Sequence, residues 1–388
     1  MAEGWSLESA ASRKGPLLHP LAGARLRVFL KHALLTPGFD SRSRLQRLIA
    51  WCAQAIRILP TVVEKVRFGA HIRKSHPQKP PVFIIGHWRS GTTHLHNLMS
   101  RDPQFGYLKF SETAMPLNML GPEVQVARVA IDAVLPETRG YDNVRLSLDE
   151  PQEEEMALGN LCSIGYYGIY YFPMDASRHS DRALFFEGAS ALEIEEFTKS
   201  YKFLVRKLNL VKGGRQLLFK NPPSTARMPL ILEMFPDAKF IHIVRNPWPV
   251  FSSNCKKFPR LFNAFAWQSF QDFDVSGNTL ETYENLMRRY LADRKRLRLP
   301  ENQLVETSYE KITEDPITEI GRLYDQLGLE GKEGGLEKIA AYVASLSGYQ
   351  RNEHKISSGD AEKIRRRWAF SFEEWGYEIE PPEDISIL

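Results

Sequence analysis

Residues 83 to 93 read FIIGHWRSGTT, an apolar run that stops at Gly86 and opens into a short loop ending Arg89-Ser90-Gly91-Thr92-Thr93. One cation, two glycines and three hydroxyl side chains in eight residues have the makings of an anion grip. Placed between a buried strand and a helix, such a loop aims backbone N–H groups, the positive end of the helix dipole and the Thr hydroxyls at one phosphate. A plain strand-to-helix turn is the alternative. The pattern is not the G-x-x-x-x-G-K-[ST] loop of nucleoside triphosphate hydrolases, because Thr92 stands where that loop needs lysine.

A second set lies in KFIHIVRNPWPVFSSNC. An apolar run ends in Arg245, Asn246 turns the chain, and Pro247 is well placed to start a helix. Ser253 falls seven residues after Asn246 and so returns to the same helical face two turns later. An arginine at a strand end and a hydroxyl on the adjoining helix can clamp a second phosphate, against the alternative of a surface ion-pair partner and a filler serine.

Both sets need a scaffold that ends several strands at one edge. Short β-rich runs at Val82 to Ile85, Leu217 to Phe219, Phe240 to Val244 and Leu304 to Glu306 read as buried parallel strands. Helical stretches follow or separate them: Thr92 to Ser100, Ala226 to Met234, Pro249 to Lys256, Leu280 to Leu297 and Pro316 to Leu327. The alternation predicts an α/β domain of three layers with a central parallel sheet, whose ligands lie at the carboxyl ends of the strands.

Charge divides the chain in two. Residues 1 to 80 hold fourteen Lys and Arg against four acids, so the rest of a chain with net charge +4 carries −6. The pattern from about Leu21 to Phe68 is helical but broken by Arg57 and Pro60, too broken for a membrane span. HIRKSHPQKPP then reads as a linker. A basic amphipathic helical extension over 1–75 and a main domain over 76–388 follow. At 388 residues, 43% hydrophobic and 25% charged, the composition is that of a globular chain able to bury a sizeable core. Three separated cysteines suggest neither a disulfide framework nor a cysteine zinc site, and no secretory leader pattern opens the sequence, so the cytoplasm is the expected compartment.

Three segments, taken in order, resemble the PAPS-dependent sulfotransferases: RSGTT after a strand, LLFKNPPSTARMPLILEMFPDAKFIHIVRNPWPVFSS, and VETSYEKITEDPITEIGRLYDQLGL. The likeness runs from about residue 81 to 330 and is closest to the bacterial branch, related to the tyrosylprotein and carbohydrate enzymes. It implies the P-loop-like sulfotransferase fold, with PAPS (3′-phosphoadenosine 5′-phosphosulfate) as co-substrate, PAP as product and no metal. It also implies that Arg89, Ser90, Gly91, Thr92 and Thr93 hold the 5′-phosphate, with His94 beside the nucleotide, and that Arg245 and Ser253 hold the 3′-phosphate. Arg89 and Lys220 would bear on the leaving phosphate, where positioned charge is often the largest catalytic contribution.

The sequence departs from part of that family at the general base. A histidine shortly after the lysine matching Lys220 is absent, since the chain reads KNPPST. The tyrosylprotein branch uses a glutamate some twenty residues past its loop arginine, and Glu112 in FSETAMP lies twenty-three past Arg89, so Glu112 is the expected base. A helix-start glutamate satisfied by backbone N–H groups is the alternative, with His87 as a further candidate base. His94 and His96, two apart on a helix, face different ways and argue against a shared metal. The acid run in DEPQEEEMALGN reads as a solvated helix start, and IGYYGIYYF as either core or acceptor-pocket wall.

The same residues bear on other functions. A nucleotide kinase would need a loop lysine and an acidic magnesium ligand at a strand end, where this chain has Arg245. A module that holds PAP without transfer, and nucleic-acid binding by the basic extension, are weaker readings; no nucleic-acid motif is present. The acceptor is expected to be a small molecule, a lipid or a carbohydrate. The extension is expected either to dock on an anionic membrane surface or to pack on the main domain or a second copy, so a homo-oligomer stays open.

Overall fold

The computed structural model describes residues 17–121, 147–346 and 354–388. Five parallel strands form the central sheet: β1 (Val82–Ile85), β2 (Phe105–Gly106), β3 (Gln216–Lys220), β4 (Lys239–Val244) and β5 (Leu304–Ser308). Their order is β2-β3-β1-β4-β5, and every pairing is parallel. Strand β1 is buried along its whole length, as its uniformly apolar sequence requires for a strand covered on both faces. Helices cover the sheet on both sides, with separate apolar clusters on its two faces. One cluster holds Phe83, Phe219 and Phe240, and the other holds Ile84, Leu218 and Ile241, as alternation along the strands dictates.

The register matters for function. Ile84 of β1 pairs with Lys220 of β3 and with Ile241 of β4, so β1 and β3 end within a residue of each other while β4 continues to Val244 at the same edge. Each is followed by a segment with polar side chains: Gly86 to Gly91 after β1, Asn221 after β3, and Arg245 after β4.

Two helices are longer than the patterns predict. The helix expected at Pro249 to Lys256 runs Pro247–Phe265 and continues through Pro259, while Leu280 to Leu297 extends to Val275–Leu297. The first turn of the helix Pro247–Phe265 is capped by the Asn246 side chain, which accepts from Trp248 N–H at 3.1 Å. Strand β2, two residues long, and a parallel pair β6 (His354–Ile356) and β7 (Ile385–Ile387) have too little periodicity to stand out in sequence.

The extension is not detached from the main domain. Its two helices, Leu26–Leu35 and Arg44–Lys74, put Val28, Phe29 and Ala50 into the same apolar cluster as the sheet. The second helix runs unbroken through Pro60 and into the stretch read as linker, which shrinks to residues 75–81. Its fixed points are polar as well as apolar. Gln54 Nε2 donates to the carbonyls of Leu21 and Ala24 at 3.0 and 2.9 Å, and the buried Glu64 carboxylate pairs with Lys207. Glu64 also accepts from Met119 and Leu120 N–H, both at 2.8 Å.

Candidate active site

The loop after β1 passes closer to β4 than a side chain would allow. Gly86 has φ 141°, and a Cβ there would stand 2.3 Å from the Ile243 carbonyl oxygen. Thr225, on the short helical turn after β3, holds the same residue by accepting from Gly86 N–H at 2.8 Å. Two more residues of the loop have positive φ. Arg89 sits at 71°, unusual for a residue with a Cβ, and Gly91 at 93° begins the helix Thr92–Met99, its Cα facing the Tyr309 ring so closely that a Cβ would lie 2.6 Å from it. Holding arginine there costs about 1 kcal/mol or more, the kind of local strain that gathers at binding sites. No side chain caps the helix that follows, so its first N–H groups and dipole face the loop.

Arg89, Ser253 and Arg245 come together. Arg89 Nε donates to Ser253 Oγ at 2.7 Å, Arg245 donates to the Arg89 carbonyl at 3.3 Å, and the Arg245 guanidinium lies 4.1 Å from the centre of the Tyr309 ring. The loop after β1, the helix after β4 and the helix after β5 thus meet around two cations and a hydroxyl. His94, on the first turn of the loop helix, has its ring 6.4 Å from that of Tyr309, and burial lowers its pKa below the ordinary value. His96 turns toward Tyr107 instead, with the ring centres 6.2 Å apart.

Lys220, the last residue of β3, is buried and pairs at 2.9 Å with Glu153. The Tyr167 hydroxyl donates to the other oxygen of Glu153 at 3.0 Å. This overturns the reading of the acid run as a solvated helix start. Glu155 is buried in a pair with Arg227 at 2.8 Å and accepts from Asn221 at 2.7 Å and Tyr166 N–H at 2.6 Å. Glu154 is fully buried, accepting from the Tyr201 hydroxyl at 2.7 Å, and its other oxygen meets no partner among the described residues. Burial pushes the Glu154 carboxyl up to about 7, with the Tyr201 hydrogen bond opposing. Charge density alone suggested solvent, because the sequence does not show that Arg227, Lys220 and two tyrosines from other elements converge on these three acids.

Glu112 is held elsewhere. It is the third residue of the helix Phe110–Ala114, where its carboxylate accepts from Lys109 N–H at 2.8 Å. Both its oxygens also accept from Lys212 Nζ, at 2.7 and 2.9 Å. Lys212 precedes the first residue of β3, whereas Lys220 ends that strand. Tyr107, Lys109, Glu112, Lys212 and Arg215 line a cleft of 450 Å³ beside β2, at the outer edge of the sheet. No hydrogen bond or ion pair described for Glu112 reaches Lys220 or the loop, so the contacts match the helix-start alternative rather than the expected base.

His87, the reserve candidate for the base, lies among Trp88, Tyr283 and Lys257. Burial drives its pKa down to about 3, and Nδ1 lies 2.9 Å from the Trp88 carbonyl. A neutral, enclosed ring of this kind supports the loop rather than exchanging protons with solvent.

Lys257 escaped sequence reasoning. It is four residues after Ser253 on the helix Pro247–Phe265, and that i, i+4 spacing was the available signal. Its ammonium is buried, donates to Asn254 Oδ1 at 3.1 Å and lies 5.1 Å from the centre of the Trp88 ring. Burial, helped by the Arg89 charge and opposed by Glu153, lowers its pKa to about 7. Asn254 in turn donates to the Trp88 carbonyl at 3.0 Å, tying this helix to the loop. The aromatic run between the acids and Pro173 proves to be core in its larger part: Tyr166, Tyr170 and Tyr171 are buried, and Trp88 stacks on Tyr166 at 4.3 Å.

The chain matches the family model described as Sulfotransferase family over residues 80–333. It belongs to the sulfotransferase family. Two proteins named omega-hydroxy-beta-dihydromenaquinone-9 sulfotransferase Stf3, from Mycobacterium bovis and Mycobacterium tuberculosis, are each 28% identical to this sulfotransferase over 327 residues, which is 84% of this chain and 82% of theirs. The crystal structure of sulfotransferase STF9 from Mycobacterium avium matches with a TM-score of 0.68 at 15% identity, covering 98% of this chain and 100% of that one. Sulfotransferase STF1 from Mycobacterium tuberculosis H37Rv matches with a TM-score of 0.58 at 15% identity, covering 87% and 92%. The bacterial sulfotransferase fold, a parallel sheet flanked by helices, is thus common to them. Its central strands are the ones that carry the loop, Lys220 and Arg245 in this sulfotransferase.

Proposed function

We propose that this sulfotransferase moves a sulfuryl group from PAPS to the hydroxyl of a lipid-like acceptor, with Lys220 and Arg89 bearing on the leaving phosphate and Glu153 as the base. The observation that carries the reading is the convergence of two anion-binding sets at one sheet edge, where Arg89 of the first is bonded to Ser253 of the second.

The residues fit a nucleotide with two separate phosphates. Gly86 and Gly91 let the loop pack against Ile243 and Tyr309 as no residue with a Cβ could, and the uncapped turn Thr92-Thr93-His94 offers N–H groups for a 5′-phosphate. Arg245 and Ser253, both hydrogen-bonded to Arg89, would take the 3′-phosphate. Bound PAPS supplies an activated sulfuryl group and, once that group is transferred, a phosphate of increased negative charge. Lys220 and Arg89 are fixed cations at the strand ends, so their stabilisation of that charge needs little rearrangement, and losing one such donor costs about 3 to 4 kcal/mol. Glu153, held against Lys220, accepts the acceptor's proton as the new O–S bond forms. General base catalysis of this kind contributes about 10²- to 10⁴-fold. Buried Glu154 and Glu155 position the turn that presents Glu153.

A lipid-like acceptor is favoured by the name of the Stf3 relatives, which specifies a hydroxylated menaquinone. The test uses PAPS labelled on sulfur with three acceptors offered in parallel: a prenylated quinone bearing a terminal hydroxyl, a fatty alcohol and a simple sugar. Label should pass to a lipid alcohol with EDTA present, and PAP should bind tightly by calorimetry. Strict magnesium dependence or a preference for ATP would overturn the donor assignment, and transfer to the sugar alone would overturn the acceptor class.

A further inference from the structure

The helix Arg44–Lys74 is amphipathic in an unusual sense, because both of its faces are apolar in part and only one is covered. Its inner face is fixed to the main domain through Ala50, Gln54 and Glu64. The opposite face carries Leu45, Leu48, Ile56, Leu59, Val63 and Val66, spaced so that they fall on one side of the helix, and all are exposed, Ile56 by 74%, Leu59 by 70% and Val66 by 80%. At 31 residues the helix is about 45 Å long, so this is an apolar strip running much of the length of a domain. Such a strip on a soluble surface marks an interaction site.

We infer that this face docks on a bilayer surface carrying anionic lipid headgroups, with the helix lying in the interface. Charge selects that occupant. Arg44, Lys65, Arg67, Arg73 and Lys74 are exposed on the same helix and form no ion pair among the described residues. The acids of the described extension are Asp40, which pairs with Arg42 at 2.6 Å, and Glu64, which is buried against Lys207. A second copy packed face to face would therefore set cation against cation, with no exposed carboxylate on either helix to answer it. Anionic headgroups answer it directly, while the apolar strip enters the headgroup boundary. Among the described residues no helix is long and apolar enough to cross a membrane, so the helix lies on the surface rather than through it. Because the inner face is held by buried polar contacts, the strip stays displayed without any rearrangement.

Flotation of the full-length protein with vesicles tests this, and needs neither PAPS nor an acceptor. Phosphatidylcholine vesicles with and without phosphatidylglycerol are compared, and the mass in solution is read by light scattering. The wild-type chain should float with the anionic vesicles only, less so at high salt. The double substitution Leu59→Glu and Val66→Glu, at exposed positions, should stay at the bottom with an unchanged melting temperature. Arg67→Gln with Lys74→Gln, both exposed and beside the strip, should lower the partition coefficient by about 30-fold, from two lost basic contacts. A wild-type chain that ignores anionic vesicles, or basic-residue variants that float as well as wild type, would overturn the proposal. So would a dimer in solution that the Leu59→Glu and Val66→Glu substitutions dissociate, since the face would then belong to a second copy.

Discussion

Two lysine–glutamate pairs in this sulfotransferase look alike by distance and differ in everything that decides function. Lys220 and Glu153 meet at 2.9 Å, and Lys212 and Glu112 at 2.7 Å. The first pair stands at the carboxyl end of β3, beside the strand that leads into the loop Gly86 to Gly91, and Glu153 is followed in the chain by the buried acids Glu154 and Glu155. The second stands ahead of β3, where Glu112 also caps a five-residue helix and the cleft faces the outer edge of the sheet. An ion pair by itself therefore says little about catalysis. Its place relative to the strand ends says more, because the carboxyl edge brings together cations from the ends of three neighbouring strands, β3, β1 and β4.

The comparison can be broken by substitution at each end. The largest effect belongs to Lys220→Met, which leaves Glu153 without its cation and, on the proposed mechanism, takes away the cation that faces the leaving phosphate; turnover with labelled PAPS should fall by about 10³-fold or more. Near-normal turnover would strip the first pair of its role. Arg245→Ala comes next. It should weaken PAP by about 30- to 100-fold in calorimetry while adenosine 5′-phosphosulfate changes little, because only PAP carries a 3′-phosphate and a charge-assisted bond contributes about 2 to 3 kcal/mol. Equal losses for both nucleotides would misplace the residue.

A smaller effect concerns the buried acid behind the first pair. The Glu154 carboxyl is raised to about 7 in the folded protein, above its ordinary 4.5, so the fold binds that proton more tightly than the unfolded chain does. Its contribution is fully present below pH 4.5 and is lost as pH rises through 7. Glu154→Gln, which keeps a neutral group at every pH, should remove this part of the alkaline loss, making the variant more stable relative to wild type at pH 8 than at pH 5, by on the order of 2 to 3 kcal/mol. Denaturant unfolding at the two pH values reads it, and an identical difference at both would show that Glu154 is ionised throughout.

Much of the scaffold was legible in sequence, and the reasons are particular. Val82–Ile85 and Pro316–Leu327 appear with the predicted bounds because a uniformly apolar run and a proline-led amphipathic stretch are local signals. The loop and Arg245 directly follow such elements, Lys220 ends one and Ser253 lies within the helix Pro247–Phe265, so their places in the fold were local signals, while their roles stay part of the proposal. The acid run was misread, since nothing local announces that Arg227 and Tyr201 will bury it. Glu112 was chosen by spacing from Arg89, and spacing does not reveal that Lys212, a hundred residues on, occupies both carboxylate oxygens. The extension was split between two readings, and the helix Arg44–Lys74 takes part of each: one face is core and the other is open.

Single-turnover transfer from labelled PAPS, run side by side on Glu153→Gln and Glu112→Gln with PAP affinity measured for both, tests the central claim most directly. The account predicts that Glu153→Gln loses about 10²- to 10⁴-fold in rate while keeping PAP affinity, and that Glu112→Gln stays within about threefold of wild type with at most about 1 to 2 kcal/mol lost from stability. The reverse order, with Glu112→Gln inactive and Glu153→Gln near normal, would contradict it and move the base to the cleft beside β2.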